Sequence, residues 1–385
     1  MFLKRKNKKV YPEQGRRVLV AMSGGVDSSV AALLLKKQGF PFFAKATKGM
    51  DVTGAFIRGY NVDGCQDRDA EDARLVAEKI EIPFYVFNFE DEYKKRVVDY
   101  LLDGYQKGIT PNPDVVCNRE IKFGLLYDKA MELGFDYVAS GHYAINKLKT
   151  QNSKLKIFGK KEGIYRAKDR NKDQSYFLWD IPKEKLEHLI FPLGCLTKPE
   201  VRKIARKAEL PVAEKKDSQG ICFLGKFDFG DFLRKNIKTR IGDIVDVNGK
   251  KVGEHDGVWL YTIGQKHGFK NFAGRPFYVI GKDLDKNLLI VAYDQDRRLY
   301  CKEFELADLN FIDTKTKNDF EIGKPIELLI RNRYRQELKK AILSKTGDDK
   351  AKIELKKADQ VFPASGQSTV FYKKNGQMLG GGVIV

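Results

Sequence analysis

No Cys-x-x-Cys pair occurs in this chain, although it carries five cysteines, at 65, 117, 195, 222 and 301. Zinc and iron–sulfur frameworks, which need thiolates at that short spacing, are therefore weakly supported. An odd number of cysteines in 385 residues suits a reducing cytosol better than a disulfide-stapled secreted fold. No Gly-Lys step is followed by Ser or Thr, which excludes the nucleoside-triphosphatase phosphate loop. Apolar runs stay well short of the roughly 20 residues that span a bilayer, so no membrane partner is expected. The first 17 residues are basic but hold neither serine nor an apolar core, and read as a solvated tail, not a signal or transit peptide. A cytoplasmic location follows as the expectation. No internal repeats are evident.

Acidic residues are also in short supply. Asp plus Glu number 52 against 71 Lys plus Arg, a formal net charge of +19. That excess points to a polyanionic partner, because each phosphate contact releases counterions; a Lys-rich genome would produce the same bias. Hydrophobic content of 42% and aromatic content of 11% support real cores and argue against global disorder. The length suits two or three domains.

The most informative stretch runs from Arg17 to Val30. Val18 to Met22 is a buried-type apolar run that reads as a strand, and Val30, Leu33 and Leu34 then recur at helical spacing. Gly24 and Gly25 make the turn between them, and Asp27 and Ser28 stand where the helix begins, as small residues that cap free N–H groups. A strand, a glycine turn and a helix start together form an anion cradle, with backbone N–H groups and the helix dipole pointing inward. Glycine is required where the chain takes positive φ or a phosphate approaches closely. The string Ser23-Gly24-Gly25-Val26-Asp27-Ser28 resembles the pyrophosphate loop of ATP pyrophosphatases, which split ATP between its α and β phosphates.

Residues 17–145 alternate apolar runs with helical patterns. Ala73, Val76, Ala77 and Ile80 fall on one helical face, Ile82 to Phe89 is strand-like, Val97 to Tyr105 returns to helix, and Tyr137-Val138-Ala139 reads as a strand. Such alternation predicts a parallel sheet covered by helices, with ligands beyond the carboxyl ends of its strands. The loops after Met22 and after Ala139 should then share one crevice. Residues 147–163 form a polar, Lys-rich insertion or hairpin, and Val201 to Ala208 marks a further helix. Beyond about residue 225 the texture becomes that of a small mixed module. From about 300, strand alternation and the Asn375-Gly376 hairpin signal indicate a C-terminal β-barrel or sandwich. The expected division is 1–224, an α/β nucleotide domain; 225–295, a small central module; and 296–385, the β-barrel.

Two further stretches could carry chemistry. In Thr110 to Phe123, two prolines stiffen a loop and Asp114 precedes Cys117 by three residues. If a helix starts near Asp114, the two share a face, and a helix start lowers a thiol's pKa. A carboxylate beside a thiol suits proton transfer coupled to sulfur chemistry; a capped helix with a buried cysteine would show the same residues. Cys222 lies in the Gly-flanked segment Asp217 to Gly225, where it could equally be an apolar cysteine between Ile221 and Phe223. Cys65, Cys195 and Cys301 carry no such context and read as structural.

Taken together, Ser23–Ser28, the Asp114/Cys117 stretch, Ser140-Gly-His-Tyr-Ala144, Lys172-Asp-Gln-Ser-Tyr-Phe177 and the Cys222 segment resemble the tRNA-specific 2-thiouridylase family of pyrophosphate-loop enzymes. Phe191-Pro-Leu-Gly194, Tyr261 to His267, Arg333 to Gln336 and Ser365 to Ser368 extend the likeness in order over nearly the whole chain. The resemblance implies an ATP-dependent sulfurtransferase that converts the wobble uridine of certain tRNAs to 2-thiouridine. A cysteine desulfurase or sulfur-relay protein would deliver persulfide sulfur, and Mg2+ is expected with ATP. The uracil oxygen would be adenylated, with pyrophosphate held at the glycine loop and the base flipped out of its stack.

By the same resemblance, ATP contacts fall on Ala21, Met22, Ser23, Gly24, Gly25, Val26, Asp27 and Ser28, and on Ile57 and Gly141. Ala21 stands where the family commonly has Gly, and Ile57 where it often has Met. Asp114 would be the acid/base, Asn112, Pro113 and Asp114 would hold the base, and Cys222 would carry the persulfide. Cys117 would release hydrosulfide, leaving a Cys117–Cys222 disulfide, or assist direct attack by the persulfide. Lys172, Asp173, Gln174, Arg333, Tyr334 and Gln367 look like tRNA contacts, although a solvated surface or a charged strand face fits them too. His142 reads as a residue beside ATP and tRNA or as a buried histidine. The rivals are another pyrophosphate-loop ligase or amidotransferase, which needs no cysteine pair, and a non-catalytic RNA-binding or sulfur-carrier protein.

Overall fold

A computed structural model describes residues 16–38, 50–61, 64–147, 162–217, 229–266, 268, 270–271, 276–294, 296–359 and 363–385. The first strand, β1 (Arg17–Ala21), has Val18, Leu19 and Val20 at zero exposure, as a strand covered on both faces requires. It leads through the glycine turn into α1 (Val26–Gln38), followed by β2 (Asp51–Arg58), α2 (Cys65–Lys79) and β3 (Phe84–Asn88). A helical stretch follows, made of α3 (Glu90–Tyr93), a π-helical turn over Lys94–Val98 and α4 (Asp99–Gln106). Next, α5 (Pro113–Val116) continues as π-helix through Cys117–Leu125 into α6 (Leu126–Glu132), and β4 (Tyr137–Ser140) returns to the sheet.

The hairpin arms β5 (Ala144–Lys147) and β6 (Gly163–Arg166) enclose the Lys-rich insertion, of which 148–161 lies outside the described residues. The short strand β7 (Leu189–Ile190) and helix α7 (Lys198–Lys207) complete this part. Helix α7 starts on a capping box, in which Thr197 and Glu200 satisfy each other's backbone N–H groups.

The sheet runs β3-β2-β1-β4-β7 with every pairing parallel. Strands are added on one side of β1 up to β3, and the chain then crosses to place β4 on the other side. That reversal opens a crevice beyond the carboxyl ends of β1 and β4, where open α/β sheets bind ligands. Ala21 lies opposite Ser140 in the register, so the loops after Met22 and after Ser140 are neighbours, as the sequence predicts.

The central module comprises α8 (Phe229–Asn236) and the strands β8 (Gly242–Asp246), β9 (Lys251–His255), β10 (Lys270–Asn271), β11 (Phe277–Asp283) and β12 (Leu288–Tyr293). They form a mixed sheet in the order β10-β9-β8-β12-β11. The last part holds β13 (Cys301–Phe311), α9 (Thr314–Glu321), β14 (Ile326–Arg331), β15 (Lys339–Gly347), β16 (Lys350–Asp359), β17 (Ser368–Tyr372) and β18 (Met378–Ile384). It closes as β13-β16-β15-β14-β17-β18, a barrel and not a sandwich. Its interior is filled by residues such as Leu306, Ile330, Leu343, Ile353 and Phe371, each at most 1% exposed. Glycine is required where β18 meets β13, because a Cβ on Gly380 would lie 2.0 Å from the Asn310 carbonyl oxygen.

The barrel is welded to the α/β part by buried polar contacts. Asp173 is at zero exposure and pairs with Arg331 of the barrel at 3.0 Å and with Arg166 at 2.8 Å. Tyr176 donates its hydroxyl to the carbonyls of Asn332 and Ser368, both at 3.0 Å. Among the described residues, no helix is long and apolar enough to cross a membrane.

Candidate active site

The glycine turn between β1 and α1 is held in one shape by its own contacts. Gly24 adopts φ +69°, and a Cβ there would lie 2.1 Å from the Asp69 carbonyl oxygen, so only glycine serves. The Ser28 hydroxyl accepts from the Ser23 N–H at 3.1 Å and donates to the Gly25 carbonyl at 3.2 Å, which holds the turn in shape. Met22, Val26 and Ser28 are buried, whereas Ser23 is exposed and Gly25 and Asp27 are half-buried. Gly141, in the loop after β4, touches the start of α1: a Cβ on it would stand 2.7 Å from the Ser28 nitrogen. Ala21 is half-buried at the end of β1, and Ile57, at 1% exposure, packs in the core behind the loop. The fold thus gathers the expected nucleotide residues around one turn, with Ile57 behind it.

Charges from distant segments converge on this turn. Lys198 places its ammonium 2.8 and 2.9 Å from the two carboxylate oxygens of Asp27, and Tyr143 donates its hydroxyl to the same carboxylate at 2.8 Å. Lys215 reaches the Gly24 carbonyl at 3.0 Å while pairing with Asp69 and Asp72. Asp217 binds Lys198, Lys172 and Arg202. Burial would raise the Asp217 carboxyl, but these cations outweigh it and hold the group well below the usual carboxylate range. Lys198 and Lys215 were not singled out from sequence, because the pairing of Lys198 with Asp27 spans 171 positions and that of Lys215 with Asp69 spans 146, which leaves no local signal. Tyr143 and Asp217 stand in stretches named from sequence but were given no role of their own there.

A second feature is a cavity of about 420 Å³, lined by Asn112, Pro113 and Asp114 together with Arg333, Tyr334 and Gln367. Its volume falls within the roughly 300–1,000 Å³ of small-molecule sites. All three parts of the chain contribute. Gln367 donates to the carbonyls of Thr110 and Pro111 at 2.9 and 3.1 Å, and Asn112 donates to the Ser368 hydroxyl at 3.3 Å. Arg333 donates to the Ile263 carbonyl of the central module at 2.7 Å, and Thr110 bonds Thr262 at 3.1 Å.

Tyr105, Tyr176, Phe177 and Phe229 add aromatic wall, beside Leu101, Thr110, Pro111 and Thr262. Phe177 packs on Tyr334 with ring centroids 4.8 Å apart. Burial pushes the Tyr105 phenol up to about 12, against a hydrogen bond from Thr262. Aromatic walls with a few convergent polar groups suit a splayed-out base. Tyr176 and Phe177 close the Lys172–Phe177 motif and Thr262 belongs to the stretch Tyr261 to His267, so part of the wall was visible in sequence; Tyr105 and Phe229 were not singled out.

The helix expected near Asp114 begins at Pro113. Asp114 is half-buried at the cavity wall, and Cys117 follows one turn later at zero exposure, where the π-helical stretch begins. A π-helical run is uncommon and often marks a functional site. Cys117 therefore lies past the first turn, where the helix dipole is weaker than the sequence reading assumed. Cys222 lies outside the described residues. Of the other thiols, Cys195 is exposed and lifted by partial burial of its sulfur, and Cys301 is half-buried.

The expected tRNA contacts divide. Arg333, Tyr334 and Gln367 face the cavity. Lys172 pairs with Asp217 near the glycine turn, and Gln174 accepts the Tyr143 N–H at 3.0 Å. Asp173 is wholly interior and committed to Arg331 and Arg166, which corrects its reading as an RNA contact: its charge is needed to satisfy a buried guanidinium. His142 is 8% exposed between Phe123 and Phe191, bonded to Ser140 at 2.8 Å. Burial, helped by Lys122, holds its pKa well below the ordinary value, so it is a neutral, packed histidine one residue beyond Gly141.

Residues 16–226 match the family described as tRNA methyl transferase HUP domain, 230–293 its PRC-barrel domain, and 301–384 the aminomethyltransferase beta-barrel domain. The tRNA-specific 2-thiouridylase MnmA of Bacillus subtilis is 41% identical over 378 residues, covering 96% of this chain and 94% of that protein. That of Lactobacillus gasseri is 42% identical over 383 residues, covering 96% and 95%.

Proposed function

The chain belongs to the tRNA-specific 2-thiouridylase family, and on that premise we propose that it converts the wobble uridine of tRNA to 2-thiouridine, with ATP on the Ser23–Ser28 turn and the base in the 420 Å³ cavity. The observation that carries this placement is the convergence of Asp114 with Arg333, Tyr334 and Gln367, residues more than 200 positions apart, on one aromatic-walled cavity. The uracil C2 carbonyl is a poor electrophile because oxide is a poor leaving group. Attack of its oxygen on the α-phosphorus of ATP, with loss of pyrophosphate, makes that oxygen leave as AMP. Asp114, half-buried at the cavity wall, moves the uracil proton. Asn112, bonded to Ser368, and Pro113 fix the loop against which the base rests, and Gln367 braces the preceding carbonyls of Thr110 and Pro111.

Sulfur arrives as a persulfide on Cys222, charged by a cysteine desulfurase or a relay protein. Cys117 then releases hydrosulfide through a Cys117–Cys222 disulfide or assists direct attack on C2. Mg2+ would enter with the nucleotide: among the described residues no group of three or more His, Cys, Asp or Glu side chains is placed to hold a metal ion, and both oxygens of Asp27 are taken by Lys198. No step here depends on a protein-built metal site.

The test is mass spectrometry of the wobble nucleoside after unmodified tRNA is incubated with ATP and a persulfide source. Replacement of one oxygen by sulfur, dependent on ATP and abolished by Cys222→Ala, is expected. Thiolation without ATP would refute the adenylation route. Full product from Cys222→Ala with sulfide absent would favour another type of pyrophosphate-loop ligase.

A further inference from the structure

Between the phosphate turn and α7 lies a set of charges that the uracil cavity and the thiols leave unused. The side chain of Lys198 is 12% exposed and bridges two carboxylates, Asp27 and Asp217, with 2.8 Å to each. Asp217 also holds Lys172 at 2.5 Å and Arg202 at 2.7 Å, so the cluster carries one more cation than it has carboxylates. An ammonium fixed this way has already lost most of its water, and its charge acts through a low dielectric on anything entering the turn.

Lys215 makes an instructive comparison. It too bridges two carboxylates, Asp69 and Asp72, and it supports the Gly24 carbonyl. If it turned away, both carboxylates would lose the cation the structure gives them. Lys198 is different, because Asp217 keeps Lys172 and Arg202 when Lys198 departs. Asp27, in the first turn of α1 and steadied by Tyr143, can retain Lys198 as it swings.

We propose that Lys198 is a substrate-binding residue for ATP: its ammonium stays on Asp27 and exchanges Asp217 for the β-phosphate oxygens of the nucleotide. It then neutralises the pyrophosphate as it leaves. In that step the bond from the uracil oxygen to the α-phosphorus forms and the bond from the α-phosphorus to the bridging oxygen breaks. The electron pair goes with pyrophosphate, and Lys198 keeps its proton and supplies charge only. The assignment rests on the ATP-dependent reading above.

It is tested by single-turnover release of pyrophosphate from ATP and unmodified tRNA, using the full chain. Lys198→Met, which keeps the apolar stem, is expected to slow release by about 100-fold, the usual consequence of losing one charge-stabilising group. Lys198→Arg should recover release to within about tenfold of wild type, and tRNA affinity should stay within about twofold in both. A merely structural role would lower the unfolding midpoint of Lys198→Met without the arginine rescue. Release at the wild-type rate by Lys198→Met, or no rescue by arginine, overturns the proposal. Should the methionine variant fail to fold, the wild-type protein supplies the second arm. Amine-directed labelling of Lys198, read by mass spectrometry, is expected to change on adding inorganic pyrophosphate, and labelling unaffected by pyrophosphate overturns the proposal. If wild type itself releases no pyrophosphate with tRNA, the ATP-dependent reading fails, and not Lys198 in particular.

Discussion

Asp173 and Arg331 show what one buried charge does for this chain. Arg331 is 1% exposed and its guanidinium meets Asp173 and the Tyr372 hydroxyl. Replacing Asp173 by Ala leaves that guanidinium without its carboxylate, and breaking such a pair costs about 3–5 kcal/mol. Urea unfolding of Asp173→Ala should show a loss of that order. Burial by itself would lift the Asp173 carboxyl, but Arg331 and Arg166 outweigh it and hold the group below its ordinary value. A folded value below the unfolded one means the contribution is complete above about pH 3.9 and disappears as pH falls from there through the folded value. Unfolding free energies measured downward from about pH 5 should therefore fall more steeply for wild type than for Asp173→Asn. At the cavity, Asp114→Asn removes proton transfer but keeps the shape. Wobble-uridine thiolation should drop by about 10²–10⁴ with tRNA affinity little changed, and an undiminished rate would rule Asp114 out as the acid/base.

Among elements, the loop after β4 and the start of α1 are in contact at Gly141. A methyl there would press within 2.9 Å of the Asp27 carbonyl carbon and the Ser28 Cα, both backbone atoms that cannot yield without moving the turn. Gly141→Ala should lower stability by about 1–3 kcal/mol through overpacking and weaken ATP binding in calorimetry. Unchanged ATP affinity would separate Gly141 from the nucleotide site. Strand β11 carries a different kind of joint. Lys282 donates to the Gly108 carbonyl at 2.9 Å, tying the central module to the loop that leads into Thr110. Burial lowers its pKa to about 8. Here the unfolded chain holds the proton more tightly, so stability should rise between about pH 8 and the unfolded lysine value of about 10.4. Denaturant midpoints across that range should climb in wild type and lack this increment in Lys282→Met.

For the whole molecule, the excess of +19 charges predicts how tRNA binding responds to salt. If six to ten phosphates are contacted, affinity should fall by about 10³–10⁵ between 50 and 200 mM salt. A titration of log affinity against log salt with no slope would contradict an electrostatic docking surface. The three parts also depend on one another at the site. The barrel's Gln367 bonds carbonyls at 110 and 111, and Arg333 bonds the module's Ile263. A chain cut before the barrel would therefore lose one wall of the cavity and expose Asp173 without Arg331.

The sequence alone determined those features whose physics is local. Val18 to Met22, the glycine pair and the residues that follow specify a strand, a positive-φ turn and a helix start within a dozen residues, and the alternation beyond them specifies a parallel sheet. Strand alternation with the Asn375-Gly376 turn likewise announced β-structure at the end of the chain. Tertiary structure decided what depends on separation. It brought Thr262, Arg333 and Gln367 to the loop at 110–114, took Asp173 into the interior, closed the last strands into a barrel, and set Lys198 between Asp27 and Asp217. The reason is the range of the forces: backbone propensity and turn geometry act between neighbours in the chain. Charge pairing and aromatic packing act between neighbours in space, whose separation along the chain here reaches 257 positions.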